Sequence, residues 1–173
     1  FVRALVRSPS QAKRIEGLVD EVICAQITQP ETLKDICNGI DIVFSSVGIT
    51  KQRDGMGYMD VDYQGNLNLL REAEASNVGL FCYVSVLLRK EMMNLDIIKA
   101  KELFVEKLKD SKINSITIRP TGFFSDLEEI FRLAQKRIGI VFGDGSYQSN
   151  PISGEDLSKF ITERRGPLLQ KKQ

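Results

Sequence analysis

The sequence predicts an α/β protein with a doubly wound parallel sheet, and three observations carry that expectation. Short apolar runs alternate with stretches of helical period along the whole chain. One run, "IDIVFSSVG" (40–48), is nearly continuous, as a strand buried on both faces would be. The 173 residues, 42% apolar and 27% charged, suffice for one domain with a real core. Strands separated by helices of this length pair in parallel through right-handed crossovers, with helices on both faces. A single domain over 1–173, ending in a polar tail from about 164, is the expected organisation.

Each element follows from its local chemistry. "VRALVR" (2–7) reads as a strand, and "SPSQAKRIEGLV" (8–19) as a helix entered through Ser and Pro. "DEVICAQI" (20–27) is strand-like. "QPETLKDICNG" (29–39) has Pro30 and Glu31 at its first turn and Gly39 just past its end, which predicts a helix. After the 40–48 strand and a loop rich in glycine, "YMDVDYQGNLNLLREAEASN" (58–77) reads as a long helix. "GLFCYVSV" (79–86) is a strand, in which Phe81 and Tyr83 read as core, and "NLDIIKAKELFVEKLKDS" (94–111) is a helix. "INSITIRPTGFF" (113–124) is a strand and turn, followed by a helix around "DLEEIFRLAQKR", a short strand "IGIVFG" (138–143) and a helix from "SGEDLSKFIT".

Composition removes several function classes. Lys plus Arg number 24 and Asp plus Glu 23, so no basic excess points to nucleic acid or an anionic membrane. No apolar stretch approaches the roughly 18 residues of a membrane span. Cys24, Cys37 and Cys82 are odd in number and lack CxxC spacing, which predicts core thiols in a reducing compartment. The chain has no histidine, which removes Ser-His-Asp triads, histidine bases and most zinc or iron sites.

Ligands of open parallel sheets bind at the carboxyl ends of the strands. An acidic residue at the end of the second strand of a dinucleotide site would bond the adenosine ribose, whereas an arginine can neutralise an added phosphate. Arg7 stands at such a strand end, so it reads either as an NADP(H)-selecting residue or as a solvated arginine. Arg3 reads as facing solvent or a neighbouring loop. "SSVG" (45–48) has small residues that would let backbone amides approach a ribose or phosphate, though glycine also simply ends strands. In "IRPTGFF" (118–124), Pro120 fixes the chain and Gly122 leaves the backbone open to a flat ring, with a plain turn as the alternative.

In order and spacing, "VRALVRSP", "PETLKDICNGIDIVFSSVG", "YMDVDYQGNLNLLREA", "YVSV", "KAKELFVEKLKDS", "ITIRPTGFF" and "PISGEDL" resemble the atypical short-chain dehydrogenase/reductases of the NmrA-like, NAD(P)-binding kind. The resemblance covers nearly the whole chain and implies a Rossmann-like domain. It places Arg7 at the adenosine phosphate, Gln26 and Ile27 at the adenine, and Ser46, Val47, Gly48 and Ser85 along the cofactor. It also places Pro120, Thr121, Gly122 and Phe123 at the nicotinamide and Lys101 at its ribose. Members of that family open with a strand, a GxGxxG loop and a helix. No such motif occurs in the sequence, so the resemblance implies a fragment that lacks those parts and a C-terminal substrate-binding part.

A second departure concerns catalysis. The superfamily's Tyr-x-x-x-Lys pair, aligned on Lys101, puts Ile97 at the tyrosine position, and alignment on Lys99 puts Leu95 there. Neither can donate a proton, and loss of a positioned general acid costs roughly 10²- to 10⁴-fold in rate. Tyr58 or Tyr147 could substitute, and Lys101 itself could be an ordinary exposed helix lysine. Two functions compete on these terms. One is an NADP(H)-dependent oxidoreductase acting on a small or isoprenoid-like carbonyl or double bond, with NAD(H) the less favoured cofactor. The other is a non-catalytic redox-sensing, assembly or accessory subunit of a larger complex, in which the nucleotide is structural.

Overall fold

The computed structural model describes residues 1–49, 55–88, 92–141, 144–146, 148 and 150–169. The chain divides into two compact units, Phe1–Ile118 and Arg119–Gln173. Among the described residues, the first contains five strands: β1 (Arg3–Val6), β2 (Glu21–Cys24), β3 (Ile42–Ser45), β4 (Leu80–Val84) and β5 (Asn114–Ile118). All pairings are parallel, in the orders β1-β2 and β3-β4-β5. Register sets Val6 against Cys24 and Ser45 against Tyr83, so the carboxyl ends within each sheet lie level.

Helix α1 (Pro9–Ile15) starts where the sequence directs it. Ser8 is extended and its Oγ accepts from the Gln11 amide, while Pro9 occupies a position whose N–H would lack an intrahelical partner anyway. Helix α3 (Asp96–Asp110) buries Ile98, Ala100, Phe104, Val105 and Leu108, the three-and-four spacing of one helical face. Phe104 meets Tyr83 edge-on at 4.6 Å and Phe81 at 5.9 Å. Such aromatic contacts add about 0.5–1.5 kcal/mol each beyond burial. Leu33, Leu69, Leu70, Ala73 and Val78 also belong to this core, with Leu69, Leu70 and Ala73 from helix α2 (Asn66–Ala75).

Several expected elements change form. The helix expected over 29–39 is a single 3-10 turn, Pro30–Leu33, followed by turns. Lys34 takes ψ 131 and Asp35 the left-handed φ 63, which no helix can continue. The carbonyls of Ile36 and Asn38 bond instead to Arg3 Nη1, at 2.8 and 3.0 Å. The long helix expected over 58–77 is divided, with a π-helical segment at Met59–Gly65 preceding α2. Asn66 explains the wider coil locally: its Nδ2 donates to the carbonyls of Asp62 and Val61, four and five residues back. The strand at 40–48 is not buried on both faces throughout, because Phe44 is 48% exposed.

The second unit holds helices α4 (Phe124–Gln135) and α5 (Gly154–Leu169). An isolated parallel bridge, Phe123 to Ile152, joins their leading segments. The α4 entrance is fixed by Asp126, whose carboxylate accepts from the Phe123 amide. Residues 138–141 of the expected strand "IGIVFG" are not in a strand and are exposed, while 142 and 143 lie outside the described residues. A strand needs a neighbouring edge, and the described residues of this unit supply only the one bridge. The backbone of 164–169, expected as polar tail, continues α5. Among the described residues, no helix is long and apolar enough to cross a membrane.

Candidate functional site

A cavity of about 820 Å³ separates β1 from β3 and is lined by both. Ala25, Ile36, Cys37, Val43 and Leu69 form its buried, apolar part. Arg7, Arg14, Gln26, Ser46 and Gly48 form an exposed, polar part. Among the described residues, β1 and β3 each have a strand partner on one edge only. In the strand order 3-2-1-4-5-6 of dinucleotide-binding sheets, β2-β1 and β3-β4-β5 occupy places 3-2 and 4-5-6, and the cavity lies at place 1. Its polar part is therefore the region where such sheets receive their ligand.

Six of the residues singled out in the sequence meet here: Arg7, Gln26, Ile27, Ser46, Val47 and Gly48 all line the cavity. Gln26 Nε2 donates to the Arg7 carbonyl at 3.0 Å, and the Arg7 amide donates to Gln11 Oε1 at 3.1 Å. These bonds tie the ends of β1, β2 and the start of α1 together. Arg3 faces a neighbouring loop, where it pairs with Glu21 besides its two carbonyl contacts. Ser85 does not line the cavity; it is buried, its amide donating to the Ile118 carbonyl at 2.8 Å and its hydroxyl to Glu102 at 3.3 Å. Pro120, Thr121, Gly122 and Phe123 belong to the second unit, where the Gly122 carbonyl accepts from the Ile152 amide at 3.0 Å and Thr121 Oγ1 donates to the Asn150 carbonyl. Nothing lies within 4 Å of a Cβ added at Gly122. Tyr147 lies outside the described residues, and Tyr58 is half-buried just before the π-helical segment.

Lys101 is not an exposed helix lysine. It is 6% exposed, whereas the side chain of its neighbour Lys99 is 53% exposed. Lys101 Nζ lies 2.9 Å from Asp62 Oδ1, 3.4 Å from the Tyr83 hydroxyl, and over the Tyr83 ring. Asp62 is wholly buried. Its Oδ1 has the distance of an ion pair with Lys101 but makes no hydrogen bond of good geometry, while its Oδ2 accepts from the Ile49 amide at 3.1 Å. Breaking a buried pair by removing one member costs about 3–5 kcal/mol, because the other charge is left unpaired.

The chain at Ser45–Ile49 is held on this cluster. Ser45 Oγ donates to Asn66 Oδ1 at 2.6 Å, and Asn66 Nδ2 donates to the Val47 carbonyl at 3.3 Å. Gly48 is required by close approach: a Cβ there would lie 2.6 Å from Asp62 Oδ1 and 2.9 Å from Lys101 Nζ. Gly65, on the π-helical segment, similarly admits Ile27, whose Cγ2 would lie 2.8 Å from an added Cβ. π-Helical turns recur at functional sites. This one presents Asp62 toward the loop after β3.

The thiols differ in setting. Cys37 and Cys82 are buried and Cys24 is exposed, all three free. Burial, with the Glu72 charge adding to it, pushes the Cys37 thiol up to about 11, and burial also raises Cys82. Among the described residues no cluster of His, Cys, Asp and Glu could hold a metal.

Arg14, Gln11, Asp62 and Asn66 are not among the residues that strand-end position or the family resemblance singles out. Gln11 and Arg14 stand three apart on α1, hence on one face, directly after Arg7. Asp62, Asn66, Leu69 and Ala73 recur at three and four residues, so a carboxylate falls on an otherwise core-facing stripe. That was a readable signal for a buried partner.

Parallel strands, crossover helices and a cavity at the strand ends edged by arginines define a dinucleotide-binding α/β domain. The chain belongs to the NAD(P)H-binding family whose model matches residues 1–164. Among named relatives, it is 27% identical over 126 residues to the photosystem II assembly factor Ycf39 of Cyanophora paradoxa, covering 73% of this chain and 39% of that protein. To the Ycf39 protein of Trieres chinensis it is 25% identical over 160 residues, covering 92% and 50%. The chain thus spans half or less of the length of these two curated relatives. A nucleoside-diphosphate-sugar epimerase from Staphylococcus aureus shares its fold with a TM-score of 0.77 at 14% identity, over 96% of this chain and 58% of that one. A Citrobacter sp. triphenylmethane reductase complexed with NADP(H) does so at 0.69 and 18%, over 90% and 53%.

Proposed function

We propose that this domain binds NADP(H) in preference to NAD(H), with the 2′-phosphate held between Arg7 and Arg14. The observation that supports the reading is the charge of the cavity. Arg7 and Arg14 both line it, and no Asp or Glu among the described residues does. A guanidinium suits a phosphate dianion through paired charged hydrogen bonds, whereas a ribose diol calls for a carboxylate acceptor. Gln26 and Ile27 then border the adenine, and Ser46, Val47 and Gly48 line the path of the ribose and phosphates. Ser85 acts from behind that path, through its bond to Ile118. The nicotinamide of a bound cofactor would be the hydride donor or acceptor in any redox step.

We further propose that the nucleotide serves an assembly or accessory role in a larger protein complex rather than tyrosine-assisted reduction. Ile97 and Leu95, at the two registers open to a tyrosine, favour this reading, as do relatives that are photosystem II assembly factors. The test is a pair of measurements on the full-length protein. NADPH at a hundredfold excess over Kd should stabilise it by about 2.7 kcal/mol, with no NADPH consumption across a panel of carbonyl, quinone and enone substrates. Turnover with any of them would defeat the accessory reading. A melting temperature unmoved by either nucleotide would defeat both readings.

A further inference from the structure

The buried pair formed by Lys101 and Asp62 carries an inference that rests on the nucleotide reading above and changes the role of its lysine. We propose that Lys101 is a positioning residue. Through Asp62 it fixes the Ser46–Ile49 edge of the cavity, and it does not itself reach the cofactor.

The geometry gives each atom a task. Lys101 Nζ sits at ion-pair distance from Asp62 Oδ1, 2.9 Å, and donates to the Tyr83 hydroxyl at 3.4 Å, so its ammonium group faces partners inside the protein. It does not line the cavity, although Gly48, against which it packs, does. The other Asp62 oxygen accepts from the Ile49 amide, which also lines the cavity. A wholly buried carboxylate is stable in charged form only beside a cation. Lys101 therefore pairs with Asp62 and orients it, Asp62 holds Ile49, and the tight fit at Gly48 sets the height of the loop. Asn66 adds the second attachment, through Val47 and Ser45.

The experiment is a double-variant cycle in the full-length protein, with Lys101→Met, Asp62→Asn and the two combined. Two quantities are read: NADPH affinity by calorimetry and hydrogen exchange of the Ile49 amide. Lys101→Met should weaken NADPH binding by about tenfold and accelerate Ile49 exchange, and adding Asp62→Asn should recover most of both, because asparagine is neutral and still offers Ile49 an acceptor. Should Lys101→Met alone not fold, the double variant decides by comparison with the unaltered protein. Restored Ile49 protection without restored affinity would mean that Lys101 touches the nucleotide, and would overturn the proposal. A loss of melting temperature with affinity and Ile49 exchange unchanged would overturn it as well. If the unaltered protein binds no NADPH, the nucleotide reading fails, while Ile49 exchange still decides whether the pair holds the loop.

Discussion

The β3-β4-β5 sheet and the β1-β2 pair use similar sequences to different ends. β4 is buried at all five positions, and α3 covers it with Phe104 against Tyr83 and Phe81. β1 has no buried position, although "RALV" is no less apolar in pattern than many core strands. Leu5 and Ile23 pack against the core from this pair, and polar contacts add to them: Arg3 on Glu21, Ile36 and Asn38, the Val2 amide on Asp20, and Gln26 on Arg7. One sheet supplies stability through burial, and the other presents hydrogen-bonding strand ends to a cavity. Both arginines at the start of the chain line the cavity, but Arg3 is engaged by Glu21 and the Ile36 and Asn38 carbonyls, whereas Arg7 lies exposed at the strand end.

That contrast can be broken by substitution. Phe104→Ala should have the largest effect, destabilising the protein by about 3–5 kcal/mol in chemical denaturation, since it empties the aromatic cluster. A loss below about 1 kcal/mol would mean that the core is not centred on α3. Arg3→Met should cost about 1–3 kcal/mol, by leaving the Ile36 and Asn38 carbonyls and Glu21 without their donor. Phe44→Ala, on a half-exposed β3 position, should cost only about 1 kcal/mol. If it costs as much as Phe104→Ala, the two sheets do not differ as described.

Cys37 gives the smallest effect, none at neutral pH. Its folded-state value of about 11 lies above the ordinary 9.0. The unfolded chain therefore loses this proton first, and the stabilisation present below pH 9 declines as pH rises toward 11. Denaturation midpoints should fall more steeply over that interval in the native protein than in Cys37→Ala. Parallel curves would remove the effect assigned to burial.

Much of the fold was legible because apolar period and burial agree. β4 and α3 follow their apolar residues closely, and Ser8-Pro9 marks the start of α1. The region 29–39 misled because Leu33, Ile36 and Cys37 have helical spacing and are buried, yet their backbone partner is Arg3, over thirty residues away in sequence. The π-helical segment was hidden for a similar reason, since a single asparagine amide competing for carbonyls leaves no periodic trace. For the site, strand-end logic brought Arg7, Gln26, Ile27 and Ser46–Gly48 to one cavity. Lys101 shows where that logic stops. The family resemblance singled out the lysine, but its burial and its partner Asp62 depend on the packing of α3 against the π-helical segment.

The proposed preference of the arginine-edged cavity for NADP(H) is open to direct measurement, through calorimetric affinities for NADPH and NADH on the full-length protein and on Arg7→Ala/Arg14→Ala. The native protein should prefer NADPH by about tenfold or more, and the double variant should lose that preference by weakening NADPH alone. Equal affinities in the native protein, or a preference unchanged in the variant, would contradict it.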